Sequence, residues 1–507
     1  MDRTAGFIDV GTNSVHMLVV RFYEGSLGTP IYQDKEAVRL GKSLYGQGKF
    51  DPETIEKTRV VLSKFKDIAE GMGVEEIVAY ATCAAREAPN ASELLDAARK
   101  AGVDLRIISG LEEARLTRLG VVGPDCARRT LLMDIGGGST EVTIAEGRNN
   151  LYMDSMSLGA VRFAYGEGFD PSQRITPKQY DFLRRQVDTA SYRSVGRIRD
   201  LGFEEAIGSS GTLMALAAIL AAKRGDDDAS YIDYNELKEL MKDLCRMTAE
   251  ERSRVPKLSS NRAEIIIGGG AVAEELMFLF GISRLEISPN GLREGMRTEY
   301  LLEHDEKDFD IRSSSVVTLA ARCGCDTEHS EAVAEYAARI YDSLCTEGVF
   351  ARNDRWRSLL GYAAQLHDVG EFISYEDHAD FSYLIIRNAY LAGFDNEELE
   401  AIAQIARMHH SSMPGQSGKG LSRIPREDIP PLVQCALILK VADILDRGRD
   451  RSIDSVSLTK DEDSISMHIK SKKDISMVVW KLKSVSSDFK KVFGRRLAVY
   501  AEHGGSA

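Results

Sequence analysis

"LLMDIGGGSTEV" (residues 131–142) and "GFIDVGTNSVHMLVV" (6–20) share one grammar: an apolar run, an Asp, one more apolar residue, a Gly, then small hydroxyl or amide side chains. An apolar run that turns at glycine and restarts reads as two strands joined by a tight loop. Such a loop lets backbone N–H groups crowd around a phosphate, because no side chain blocks the approach and glycine tolerates unusual φ/ψ. Thr12, Asn13 and Ser14 in the first loop, and Gly136, Gly137, Gly138, Ser139 and Thr140 in the second, are the candidate phosphate-binding residues. Asp9 and Asp134 end the two strands and are candidates to hold Mg2+, a hard cation that prefers oxygen ligands. Other phosphate motifs fail. "RLGKSL" (39–44) has Glu36 where a P-loop needs its first glycine, and "DIGGGSTEV" lacks the G-x-G-x-x-G spacing.

Outward from the first loop, helical spacing over 53–72, strand patterns over 75–82 and 103–109, and helical patterns over 91–102 and 111–122 make an alternating α/β unit. The order restarts near residue 130, so the chain is expected to hold two related α/β halves, 1–125 and 126–304. Residues 305–448 read as helix after helix and gather most of the histidines, and 449–507 return to short alternating segments, a small α+β module.

The composition, 43% hydrophobic and 28% charged over 507 residues, is that of a globular protein with sizeable cores. No apolar run reaches 18 residues and the start runs straight into a strand pattern, so the expectation is a cytoplasmic protein without a membrane partner. Seven scattered cysteines do not form a disulfide framework. The net charge of −13 argues against nucleic-acid binding, and means that an anionic substrate needs locally basic ground. Nine Lys or Arg residues between Lys470 and Arg496, opposed within that stretch by Asp474 and Asp488, offer such ground.

The paired loops resemble the two phosphate motifs of the actin, sugar-kinase and heat-shock-chaperone superfamily, whose halves are ribonuclease H-like. The set "DVGTNSVHMLV" (9–19), "ATCAAREAPN" (81–90), "ISGLEEARLTRLGV" (108–121), "MDIGGGSTEV" (133–142), "SLGAVRF" (157–163), "GSSGT" (208–212), "RAEIIIGGGAV" (262–272) and "NGLREGM" (290–296) is similar to the exopolyphosphatase and guanosine pentaphosphate phosphatase family, in the family's order. The resemblance implies a duplicated actin-like α/β fold followed by an all-α and a small α+β domain. It also implies Mg2+-dependent hydrolysis of a phosphoanhydride and a homodimer. Glu113, directly before Ala-Arg, matches the family's catalytic base; from the sequence alone it equally suits a helix first turn. Glu141 matches a second acidic catalytic residue and Arg86 an arginine near the substrate phosphates, while Arg162 and Arg293 read as structural.

In the helical segment, "LHDVG" (366–370) sets an imidazole beside a carboxylate, with His329 upstream and Asp443 downstream. This order resembles the HD phosphohydrolase fold, and His378 and His409 fall where its two-metal versions carry further ligands. His329, His367, Asp368, His378, His409 and Asp443 are therefore the candidates for a second divalent metal. The functional expectation is an exopolyphosphatase acting on inorganic polyphosphate. The alternatives are a guanosine pentaphosphate 5′-phosphatase and, from another class, an actin-like nucleotide-binding regulator.

Overall fold

The structure, a computed structural model, describes residues 3–23, 26–166, 170–226, 228–304, 310–389, 391, 393–410, 421 and 423–503. It divides into two compact units, Met1–Phe309 and Asp310–Ala507.

The first unit contains the same sheet twice. Strands β1 (Arg3–Val10), β2 (Ser14–Phe22), β3 (Thr29–Ala37), β4 (Glu76–Ala81) and β5 (Leu105–Ile107) lie in the order β3-β2-β1-β4-β5. Strands β6 (Cys126–Ile135), β7 (Thr140–Gly147), β8 (Asn149–Met156), β9 (Glu205–Ser209), β10 (Tyr231–Asp233) and β11 (Arg284–Ile287) lie in the order β10-β11-β9-β6-β7-β8. In each, an antiparallel three-strand meander is extended through its first strand by parallel neighbours, β1 with β4 and β5, and β6 with β9 and β11. β1 is buried along nearly its whole length, as a strand covered on both faces must be, which is why its sequence runs apolar instead of alternating.

Register places the loop residues. Asp9 pairs with His16 across β1–β2, and Asp134 with Glu141 across β6–β7. His16 and Glu141 therefore occupy the same position of the two repeats.

Helix Gly110–Val122 starts at Ser109, whose side chain accepts from the Glu112 N–H, and so carries Glu113 in its first turn. It lies against helix Leu292–His304 at a distance only glycine permits. A Cβ on Gly295 would stand 1.8 Å from the Leu116 carbonyl oxygen, and one on Gly120 2.1 Å from that of Gly291. Gly120 and Gly295 thus fix the helix that presents Glu113.

The second unit packs helices Ile311–Arg322, Thr327–Thr346, Asp354–Leu366, His378–Asn388, Asn396–Met408 and Ile429–Leu445. Strands β12 (Ile453–Lys460), β13 (Ser464–Ser471) and β14 (Arg496–His503) follow, with helices Ser476–Ser484 and Ser486–Phe493 between the last two. One hydrophobic core runs without a break from Val316 and Trp356 in the helices to Met467, Phe489 and Leu497 in the C-terminal module. The basic stretch is not bare. Lys470 pairs with Glu502, Lys472 with Asp454 and Lys473 with Asp450, acids that lie outside the stretch in sequence, and Lys491 pairs with Asp488.

Replacing Gly295 by Ala should destabilise the first unit by roughly 1–3 kcal/mol or more, because backbone rather than a movable side chain stands in the way. Chemical unfolding measures it; unchanged stability would mean the helix pair does not need the close approach.

Candidate active site

The loop between β1 and β2 and the loop between β6 and β7 meet face to face. A Cβ on Gly138 would lie 2.5 Å from the Tyr45 hydroxyl, 2.8 Å from Cys83 Sγ and 2.9 Å from Thr12 Oγ1; one on Gly137 would lie 2.9 Å from Thr12 Cβ. None of Gly136, Gly137 and Gly138 has a positive φ. The glycines answer steric crowding by the opposite loop, not the unusual dihedral that the sequence suggested. Backbone fastens the arrangement: Val161 and Arg162 N–H donate to the Gly137 carbonyl, and Gly41 N–H to that of Thr12.

Around the loops opens a cleft of about 830 Å³, lined by Asp9, Thr12, Asn13, Ser14, Glu113, Asp134 and Gly136 to Ser139. Thr140 is the exception among the expected phosphate ligands: it is fully buried and its hydroxyl donates to the Leu158 carbonyl, so it props the loop from behind. Glu141 is also buried, accepting from Ser155 Oγ at 2.7 Å. Arg86 lines a smaller adjoining cavity and reaches Glu113 Oε2 with Nη1 at 2.7 Å while also donating to the Ile108 carbonyl.

Four carboxylates dominate the electrostatics, Glu113 and Glu141 buried and Asp9 and Asp134 partly so. Burial pushes Asp9 up to about 7, with Asp134 adding and Arg293 opposing, and pushes Asp134 up to about 6 against a hydrogen bond from Ser209. Glu113 is raised to about 7 by burial, despite Arg86, with the Asp9 and Asp134 charges contributing. Glu141 is raised well above the usual carboxylate range by burial and then by Glu113 and Asp134. Asp9 Oδ1 and Glu141 Oε2 are buried without a hydrogen-bond partner. Crowded carboxylates with orphaned oxygens are the donor type that a hard divalent cation satisfies, although no three of them bring ligand oxygens within 4.8 Å of one another among the described residues.

Opposite them stand cations that the sequence reading missed or set aside. Lys35, Lys257, Arg262 and Arg293 line the same cleft. Arg293, read from sequence as structural, opens onto the cleft, and its charge is the largest influence holding Asp9 down. Burial, then Arg262 and Arg293, lowers Lys35 to about 8; burial and the same two arginines with Lys35 lower His16 to about 3, leaving it neutral. Positive groups that crowd one another are suited to a polyanion that spaces them. Arg162 does hold structure, donating through Nε to the Gly138 carbonyl, pairing with Glu87 and lying over the Tyr45 ring. No signal short of the fold points to Lys35, which sits one strand away on β3.

The second unit also gathers its expected residues. His367 and His409 cap the ends of their helices, His378 begins the next, and His329 and Asp443 come from two more. His329 Nε2 is 3.7 Å from Asp368 Oδ2 and 3.6 Å from Asp443 Oδ1; His367 Nε2 is 3.4 Å from Asp368 Oδ1. Asp446, missed in the sequence, is buried and lies 2.8 Å from His329 Nδ1. His410 is exposed beside His378, ring centroids 4.9 Å apart, whereas Ser411 and Ser412 of "RMHHSS" lie outside the described residues.

Residues 18–304 match the Ppx/GppA phosphatase family, and residues 311–484 match domain III of Ppx/GppA phosphatases. The chain belongs to the Ppx/GppA phosphatase family. As a member it is a hydrolase of phosphoanhydride bonds with an actin-like α/β region and a helical C-terminal region. A protein of Vibrio parahaemolyticus named guanosine-5′-triphosphate,3′-diphosphate pyrophosphatase is 27% identical over 480 residues, covering 92% of this chain and 91% of its own. One of the same name from Aliivibrio fischeri is 28% identical over 470 residues, covering 91% and 90%. Among solved structures, an exopolyphosphatase from Cytophaga hutchinsonii superposes with a TM-score of 0.54 at 25% identity, over 59% of this chain and 97% of that one. The Aquifex aeolicus Ppx/GppA family member, 24% identical with a TM-score of 0.50 over 61% and 100%, shows the same fold. Among the described residues no helix is long and apolar enough to cross a membrane.

Two outcomes follow. Gly138→Ala should force the loops apart and lower the rate of phosphate release at least tenfold while leaving the chain folded; an unaffected rate would show that the loops need not touch. Carboxylates raised on folding bind more protons in the native than in the unfolded state, so they lower stability as pH rises from about 4 through about 7. A divalent cation replaces those protons, so Mg2+ should raise the melting temperature at pH 8 far more than at pH 5, by calorimetry.

Proposed function

We propose that the cleft of the first unit removes the terminal phosphate of a polyphosphorylated anion, with Glu113 as general base. The observation that carries this is Glu113 itself: a buried carboxylate in the cleft, held at about 7 and oriented by Arg86, beside two loops of backbone donors. A base is most effective when its pKa lies near the working pH. Ionised Glu113 takes a proton from water as the water oxygen attacks the terminal phosphorus; the anhydride P–O bond breaks and the shortened anion leaves with the bridging oxygen. Thr12, Asn13, Ser14 and Gly136 to Ser139 grip the transferred group, and Arg86 positions the base. Arg293, Lys35 and Arg262 bind the phosphates that remain. Asp9 and Asp134, backed by Glu141, would hold Mg2+, which supplies positive charge to the phosphoryl oxygens.

For the substrate, guanosine pentaphosphate is the leading reading. The relatives alike over nine-tenths of their length carry a name for that reaction. Beyond the loops the cleft has an apolar side, Met214, Ala215, Ala218 and Ile265, which suits a nucleoside and which a bare phosphate chain does not use. Inorganic polyphosphate is the second reading, favoured by the row of cations and by the likeness to an exopolyphosphatase. A homodimer and a cytoplasmic location belong to the same proposal; seven thiols, none bridged, suit a reducing compartment.

Phosphate release with Mg2+ should be measured on guanosine pentaphosphate and long-chain polyphosphate at matched terminal-phosphate concentration; a strong preference for polyphosphate would reverse the ranking. Glu113→Gln should cost about 10²–10⁴-fold on either. The acid limb of the wild-type pH profile should rise through about 7, since the base must be ionised. Release that survives Glu113→Gln would sink the mechanism, and absence of any release would favour the nucleotide-binding regulator.

A further inference from the structure

Lys35 stands among the cations of the cleft without an acid of its own, and register explains why. Asp9 of β1 lies opposite His16 of β2, and His16 lies opposite Lys35 of β3, so the three form one row across the sheet. Side chains directly opposite one another on antiparallel strands share a face, while neighbours along a strand alternate. All three residues of the row line the cleft. The acids on either side of Lys35 in sequence are spent elsewhere. Asp34 and Glu36 both pair with Lys64 of helix Pro52–Gly71, at 3.0 and 2.8 Å. The Lys35 amine is left without an ion-pair partner among the described residues.

What surrounds that amine is mostly positive. Desolvation at the cleft wall, then Arg262 and Arg293, lowers Lys35 to about 8, and Asp9 opposes them least of all. An ordinary lysine titrates near 10.4, so at pH 8 Lys35 offers about a hundredfold more free amine. Cationic neighbours and desolvation that deny a lysine its proton leave it a nucleophile. Lys64 is the contrast within the same chain. Its hydrogen bonds to Glu36 and Asp34 raise it above the ordinary lysine range and keep its nitrogen protonated. Both amines are within reach of a reagent: Lys64 has 47% of its side chain exposed, and Lys35 is exposed in the wall of the cleft.

A reagent that the cleft itself delivers to Lys35 needs a phosphate for the two loops and an electrophilic carbon that reaches β3. An acyl phosphate has both. We propose that Lys35 is an acylation site, at which an acyl phosphate held through its phosphate in the cleft transfers its acyl group to Nζ and so weakens the grip on polyanions. The Nζ lone pair attacks the carbonyl carbon, the bond from that carbon to the bridging oxygen breaks, and phosphate leaves with the electron pair. The proton that the nitrogen gives up goes to the departing phosphate or to water. Amine and acyl phosphate become amide and phosphate. The amide carries no charge, so Arg262 and Arg293 remain where three cations stood. A modification made by a small phosphorylated metabolite thereby regulates the cleft. The proposal rests on the reading of the cleft as a phosphate site and adds a control to it.

The test uses the wild-type full chain, acetyl phosphate at pH 8, and peptide mass spectrometry. Lys35 should gain an acetyl group at least tenfold faster than Lys64, and inorganic tripolyphosphate should slow Lys35 at least tenfold while leaving Lys64 unchanged. Because the two lysines are compared within one chain, loss of reagent to hydrolysis does not alter the ratio. Acetic anhydride, which has no phosphate for the loops to hold, should favour Lys35 less strongly and without protection by tripolyphosphate. Chains acetylated at Lys35 should show at least a fivefold higher KM for guanosine pentaphosphate with a smaller change in kcat, and Lys35→Gln should reproduce that split. Equal rates at Lys35 and Lys64, no protection, or an unchanged KM after complete acetylation would overturn the proposal. Phosphate release by the untreated chain is read separately. A chain that releases phosphate but leaves Lys35 inert overturns this proposal alone, whereas protected acetylation in a chain that releases none overturns the hydrolytic reading and leaves the acylation site standing.

Discussion

Everything in the first unit depends on how closely two backbone loops approach. Thr12 of one loop rests on Gly137 and Gly138 of the other, and there is no room for a single added carbon between them. That approach turns two ordinary strand–turn–strand units into one cradle with donors from both sides. It also brings Asp9 and Asp134, each at the end of its strand, into the same buried space, where their charges act on one another. The same economy is used behind the cradle, where Gly120 and Gly295 let two helices touch by backbone and so aim Glu113 at the loops.

Concentrating four carboxylates in a buried cleft is costly, and the cost is what makes the site reactive. In water none of them would differ much from any other acid. Crowded together, with Arg86 touching Glu113 and Arg293 acting on Asp9, they hold protons near neutrality and leave oxygens unsatisfied. A cation and a polyanionic substrate relieve both strains at once. The cleft thus binds its ligands with interactions that the folded chain cannot make by itself.

The second unit solves a related problem with nitrogen instead of oxygen. Helix ends from across the unit deliver imidazoles whose outer nitrogens are tied to carbonyls of their own helices, so orientation comes with the local fold. Only His329 needs a distant partner, Asp446, and that one contact joins helix Thr327–Thr346 to the end of helix Ile429–Leu445.

The sequence by itself determined the local parts: the duplicated strand–loop–strand, the helical spacing over 53–72 and 111–122, and the Glu in the first turn of the second of these helices. Those signals are legible because period, cap and turn act over a few residues. It also pointed to the histidines and aspartates of the helical unit, whose chemistry is unusual enough to notice wherever it falls. Only the tertiary structure decided which way the side chains face and what they meet. It turned Thr140 inward onto Leu158, and it opened Arg293 onto the cleft after its motif had read as packing. It matched the C-terminal lysines with acids from other segments and supplied Lys35 and Asp446, which no motif marks. The physical reason is range. A turn or cap is written in neighbouring residues, whereas burial, charge crowding and steric contact between loops more than a hundred residues apart exist only once the chain has closed on itself.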